Sequence, residues 1–218
     1  MKHLLLALCL SVCAAAPASA ATATYSFDCL TNTNADNCSI GEAQLSLNVT
    51  DTLVSSQVLF EFTNTGAEAA SITDIYFDDG TLFGISQVFN GSGVNFSVLA
   101  TPAELPGANS LDPSFDTTVG FSADANPPVS QNGVNPGETI GILFDLQSGQ
   151  TYEDVLNALS IGSGTNGLLV GIHVQSFDIG GGSESFINNI SPVPEPVQWL
   201  MMLAGIALIA VRTVRRSR

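Results

Sequence analysis

Apolar and polar residues alternate in short runs along most of the chain, with turn residues between the runs, as expected of antiparallel strands that bury one face. Ala43-Gln44-Leu45-Ser46-Leu47-Asn48-Val49 alternates without interruption. Val54 to Thr65 carries Val58, Phe60 and Phe62 on one face, and Ile72 to Phe77 follows a Gly-Ala-Glu turn. Further strands are predicted at Val94 to Leu99, Val119 to Ala123, Thr139 to Leu146, Leu168 to Phe177 and Glu184 to Asn188. Strands of this length and spacing predict an all-β fold, an antiparallel β-sandwich of jelly-roll-like type, and not an α/β unit.

One segment departs from the alternation. Thr151-Tyr152-Glu153-Asp154 places a hydroxyl three residues before a carboxylate, the pattern of a capping box. A single short helix is predicted after it, with Val155, Leu156 and Leu159 on its apolar face and Gly162 as its stop. From Thr101 to Gly137 the chain is rich in Pro, Gly and Asn, which predicts long surface loops around one strand.

Both ends differ from this middle. Residues 1–20 run from Lys2 through an apolar segment to Ala18-Ser19-Ala20, the three-part pattern of a secretory signal peptide, with the cut expected between Ala20 and Ala21. The folded domain is then expected over residues 21–190. After processing only Cys29 and Cys38 remain, an even pair in an oxidising compartment, which predicts a disulfide between them.

At the other end, over residues 191–218, Pro194-Glu195-Pro196 is held extended by its two prolines. Val197 to Val211 is uncharged, and as a helix it would be about 22 Å long, short of the roughly 30 Å hydrocarbon core. Arg212, Arg215, Arg216 and Arg218 follow directly, which would keep that end in the cytoplasm and the domain outside.

The order Pro-Glu-Pro, marginal transmembrane helix, terminal arginine cluster resembles the PEP-CTERM sorting signal of bacteria that make extracellular polysaccharide. The resemblance implies recognition and processing by an exosortase, a membrane-embedded enzyme with a catalytic cysteine. It also implies transient anchoring in the inner membrane, followed by release to the cell surface or extracellular matrix. Asn135-Pro136-Gly137-Glu138, Val170 to Phe177 and Gly181 to Phe186 resemble, more loosely, other exported proteins with this tail.

Charge narrows the function further. The five Lys and Arg are all terminal, Lys2 and the four arginines of the tail, whereas all twenty Asp and Glu lie between Asp28 and Glu195. Such a domain cannot neutralise phosphates, so it does not bind nucleic acid, and docking on anionic lipid is disfavoured. Its carboxylates must be solvated, bonded to backbone donors or neutralised by cations. Asp74, Asp78 and Asp79 before Gly80 crowd three carboxylates into a strand-to-turn junction, which could hold calcium or be an exposed Asp-Asp-Gly turn. No other cofactor is indicated.

His173 is the one histidine outside the signal. A Ser-His-Asp triad can be drawn with Asp178 and Ser183 or Ser185, but the Gly-x-Ser-x-Gly elbow is missing, and a hydrogen-bonded structural histidine is the simpler expectation. Two functions follow. The first is an exported, non-catalytic surface or matrix protein associated with exopolysaccharide; the second is a secreted hydrolase acting on matrix polysaccharide.

Overall fold

The structure, a computed structural model, describes residues 20–52, 54, 56–79, 83–178 and 181–193. In chain order the elements are β1 (Thr22–Cys29), α1 (Ala35–Gln44), β2 (Leu45–Asp51), β3 (Gln57–Asn64), β4 (Ser71–Asp79), β5 (Phe83–Asn90), β6 (Phe96–Val98), β7 (Ser122–Ala125), α2 (Val129–Asn132), β8 (Thr139–Leu146), α3 (Tyr152–Ile161), β9 (Leu168–Gln175) and β10 (Ser183–Asn188). A 3-10 turn spans Ala108–Ser110. The strands form one antiparallel sheet in the order β5-β8-β3-β2-β1-β10-β9-β4-β7-β6.

The sheet folds over on itself at β1. Thr22 to Ser26 pair with β2, whereas Phe27 to Cys29 pair with β10, so β1 belongs to both halves. Asn90 at the end of β5 and Phe96 at the start of β6 exchange two hydrogen bonds, of 3.2 and 2.8 Å, which brings the two ends of the sheet together and makes it nearly a barrel.

Alternation explains what fills the interior. Val58, Phe60 and Phe62 of β3 and Ile140, Ile142 and Phe144 of β8 point inward from one half, and Ile75 and Phe77 of β4 from the other. Phe77 lies 5.3 Å from Phe60 and 4.8 Å from Phe144, centroid to centroid, in edge-to-face contacts that suit the ring quadrupoles.

The second half is buried on its outer face as well. The chain between β6 and β7 lies across it and makes a smaller core of Tyr76, Leu105, Phe115 and Leu169. Gly171 permits this approach, because a Cβ there would stand 2.6 Å from Leu105 Cδ2 and 3.2 Å from Phe115 Cζ. The loop expected over residues 101–137 is therefore a cover with its own packing, and the strand expected within it at Val119 to Ala123 is shifted to β7 at Ser122–Ala125.

The all-β, antiparallel expectation agrees with the structure, and β8 has the expected bounds. Among the described residues the expectation of one helix is corrected to three. The capping box of α3 is present, with Asp154 N–H donating to Thr151 Oγ1 and Thr151 N–H donating to the Asp154 carboxylate. Helix α1 takes in Ala43 and Gln44, so β2 starts two residues later than the alternation indicated. β1 and β5 lay outside the predicted strands. Among the described residues no helix is long and apolar enough to cross a membrane. The signal segment, apart from Ala20, and the expected helix at 197–211 lie outside the described residues.

Truncating Phe77 to alanine should remove the centre of the ring cluster and cost about 3–5 kcal/mol. Urea unfolding of the variant beside the wild type measures it. Cys29 and Cys38 are bonded to each other, with Cα atoms 5.3 Å apart, and tie α1 to the end of β1. Replacing both by serine should cost about 2–3 kcal/mol on the chain-entropy account, read in the same experiment as a lower midpoint.

Candidate functional site

Three clusters of titratable groups involve the residues singled out from the sequence or their neighbours. The first is the junction of β1, α1 and β10. Glu184 is 1 % exposed, and its carboxylate accepts hydrogen bonds from Thr31 Oγ1, from Thr33 N–H at 3.0 Å and from Asn34 N–H at 2.7 Å. Burial pushes its pKa up, but these donors outweigh it and hold the group below the ordinary glutamate value. Asn34 in turn caps α1, its Oδ1 accepting from Asp36 and Asn37 N–H. The two cysteine sulfurs and Glu184 lie close together, but sulfurs bonded to each other are not thiolate ligands, so this group holds no metal.

The second place is the outer face of β4 and its neighbours. Strand register sets Ser185 of β10 opposite His173 of β9, His173 opposite Asp74 of β4, Asp74 opposite Asp124 of β7 and Asp124 opposite Ser97 of β6. A row of polar side chains thus crosses five strands. His173 Nδ1 lies 3.1 Å from Asp74 Oδ2, which also accepts from Thr73 Oγ1 at 2.8 Å. Asp74 itself is 3 % exposed.

Asp124 is pushed up to about 6, by burial first and by the neighbouring Asp74 charge second; a Thr101 backbone donor partly offsets this, and the bond Asp124 makes to Asp74 as the protonated partner adds to it. Tyr76, beside Asp74 on the same strand, has its hydroxyl pushed well up by burial and by the charges of Asp74, Asp124 and Glu104, and it donates to Pro102 O at 3.1 Å.

The third place is the far end of β4. Asp78 accepts from Asp116 N–H at 3.2 Å and lines a cleft of about 330 Å³ with Asp116, Ser114, Thr165 and Asn166. Burial raises its pKa; the charges of Asp116, Asp79 and Glu104 add to this, and the Asp116 N–H partly offsets it.

These positions correct the calcium expectation. Asp74 and Asp78 share the outer face of β4 with Tyr76 between them, whereas Asp79 has the inward parity of Ile75 and Phe77 and its backbone is bonded to the Thr118 hydroxyl. The oxygens of Asp74, Asp78 and Asp79 do not converge within metal-binding distance. Alternation of faces along a strand separates carboxylates that are adjacent in sequence.

The triad drawn with Asp178 is also replaced. The carboxylate on His173 is Asp74, ninety-nine positions away. Ser185 does neighbour His173, but it is fully buried and its Oγ has no hydrogen-bond partner. A serine closed off in this way cannot reach a polymer substrate. Asp124 and Glu184 escaped the sequence reading because their partners come from strands and loops far along the chain. The signal that could have found Asp124 is its place in the short alternating Ser122-Ala123-Asp124-Ala125.

The expected cleavage point between Ala20 and Ala21 sits just before β1, with Ala21 O accepting from Asp51 N–H. Pro194, Glu195, Pro196, Arg212, Arg215, Arg216 and Arg218 lie outside the described residues.

Because Asp124 holds its proton to a higher pH in the folded chain than the ordinary value of 3.8, the folded state binds more protons between those limits. Its contribution to stability is fully present below pH 3.8 and is lost as pH rises through about 6. Asp124→Asn should therefore flatten the fall in melting temperature between pH 4 and pH 7 relative to wild type; parallel wild-type and variant curves would refute the shared proton.

Compared with known proteins, the chain matches no family model, no curated protein and no solved structure.

Proposed function

We propose that the chain is an exported, non-catalytic cell-surface or extracellular-matrix protein, sorted through Pro194 to Arg218 by an exosortase-type enzyme and associated with extracellular polysaccharide. The observation that carries the reading is the Cys29–Cys38 disulfide within a domain that has no lysine or arginine. A disulfide persists in an oxidising compartment outside the cytoplasm, and a uniformly acidic surface keeps an exported chain soluble. On this reading the curved sheet is a jelly-roll-like sandwich whose layers are joined through β1. The tail anchors it in the inner membrane, domain outward, until processing releases it.

The closeness of His173, Asp74 and Asp124 supports the second reading, a secreted hydrolase of matrix polysaccharide, because a histidine held by a carboxylate beside a proton-carrying acid is acid–base equipment. The closed Ser185 and the depth of Asp74 favour the first.

Deleting Pro194 to Arg218 should move the protein from the envelope or matrix into soluble fractions, followed by immunoblotting of fractionated cells. An unchanged distribution would sink the sorting reading. Incubating the protein with the host's exopolysaccharide should leave polymer length unchanged by gel filtration. Shortening that His173→Ala abolishes would install the hydrolase instead.

A further inference from the structure

The two outer faces of the sheet differ. The half containing β4 and β9 is covered by the chain between β6 and β7, whereas β3, β8 and β5 leave a groove of about 490 Å³ open on their outer face. That volume falls in the roughly 300–1,000 Å³ range of small-ligand clefts. Register builds it. Glu61 of β3, Gly141 of β8 and Phe89 of β5 form one cross-strand row, and Leu59 and Leu143 sit in the next. Gly141 makes the floor, because a Cβ there would press Leu59 Cδ1 at 3.2 Å and reach Phe89 Cβ at 3.6 Å. Phe89 stands 48 % exposed on one wall, a large ring held out in water. Gln57 closes one end, its amide donating to Asp145 at 2.8 Å.

Resting on the proposed association with polysaccharide, we infer that this groove binds an amine-bearing glycan, a polymer of hexosamines with free ammonium groups. The apolar CH face of a pyranose suits the Phe89 ring and the Leu59 and Leu143 side chains, and a ring face attracts a neighbouring ammonium. Among the described residues Glu61 is the one ionisable group lining the groove, and it offers an acceptor of opposite charge. Charge complementarity chooses among occupants. Twenty carboxylates and no lysine or arginine between Ala21 and Pro196 repel uronates, phosphates and a second copy of the chain, and attract a polycation.

The test uses the full chain in mild detergent, titrated calorimetrically with a glucosamine hexamer, its fully N-acetylated counterpart and a galacturonate oligomer. The glucosamine hexamer should bind, and the acetylated and galacturonate oligomers should bind at least about tenfold more weakly. Phe89→Ala and Glu61→Gln should each weaken the glucosamine hexamer about tenfold. Asp112→Asn, an equal charge change on an exposed loop of the covered half, should leave it unchanged. Equal binding by all variants would mean diffuse attraction to the acidic surface and would overturn the inference, as would equal binding of the acetylated hexamer. Self-association abolished by Phe89→Ala would make the groove a contact between copies and would also overturn it. Misfolding is excluded by melting each variant. A failed titration with the tail-dependent localisation intact removes the groove alone, and a tail without effect on localisation removes the sorting reading alone.

Discussion

A domain with twenty carboxylates and no lysine or arginine must settle every buried acid without an ordinary ion pair, and the fold is arranged around that constraint. An unpaired buried carboxylate costs several kcal/mol. Glu184 is stabilised by backbone and hydroxyl donors and Asp74 by the His173 imidazole and the Thr73 hydroxyl, while the half-buried Asp124 beside Asp74 holds its proton up to about pH 6. Each solution also joins separate parts of the chain. Glu184 on β10 orders residues 31–34, whose Asn34 starts α1, and Asp74 joins β4 to β9 beyond what the ladder provides. The groups that in most domains would be surface charges serve here as internal fasteners.

The two halves of the sheet differ on their outer faces. On the half around β4 and β9, the cover brings Leu105 and Phe115 over Gly171, and Tyr76 reaches up to Pro102. Within the polar row on that half, Asp74 is matched to the His173 imidazole and the Thr73 hydroxyl. Among the described residues the half around β3 and β8 has no such cover, and its outward residues mix Leu59, Leu143 and Phe89 with Gln57 and Glu61. A face left open with a half-exposed phenylalanine on it loses the benefit of burying that ring, which is why it is read as a surface of use.

What could be read from the sequence follows from where each interaction reaches. Thr139 to Leu146 alternates with one face inward, and its bounds were legible; so was α3, whose cap lies within four residues. Helix α1 was not, because its start depends on Glu184 about 150 positions away and its apolar residues show no helical stripe. Strand β1 is hard to read because it lies directly against the signal and only two of its inward residues, Tyr25 and Phe27, are fully buried. Among site residues, Cys29 and Cys38 paired as their isolation implied. Asp74, Asp78 and Asp79 were grouped by sequence proximity, which strand geometry undoes, while the true neighbours of Asp74 stand on strands that no local pattern could connect to it.

Charge also bears on how such domains could share a matrix. Every lysine and arginine of the chain lies in a terminal segment, so on the proposed reading removal of both segments leaves none on the molecule. Two such domains repel one another at distances up to a Debye length, about 8 Å at physiological salt. Direct packing between copies therefore works against the whole charge of the surface, while a cationic polymer works with it. One polymer strand passing through the grooves of successive molecules would neutralise each in turn, gathering them without any contact between protein surfaces. In that arrangement the domain's lack of cations is what makes it a component of a mixed layer and not of a protein lattice.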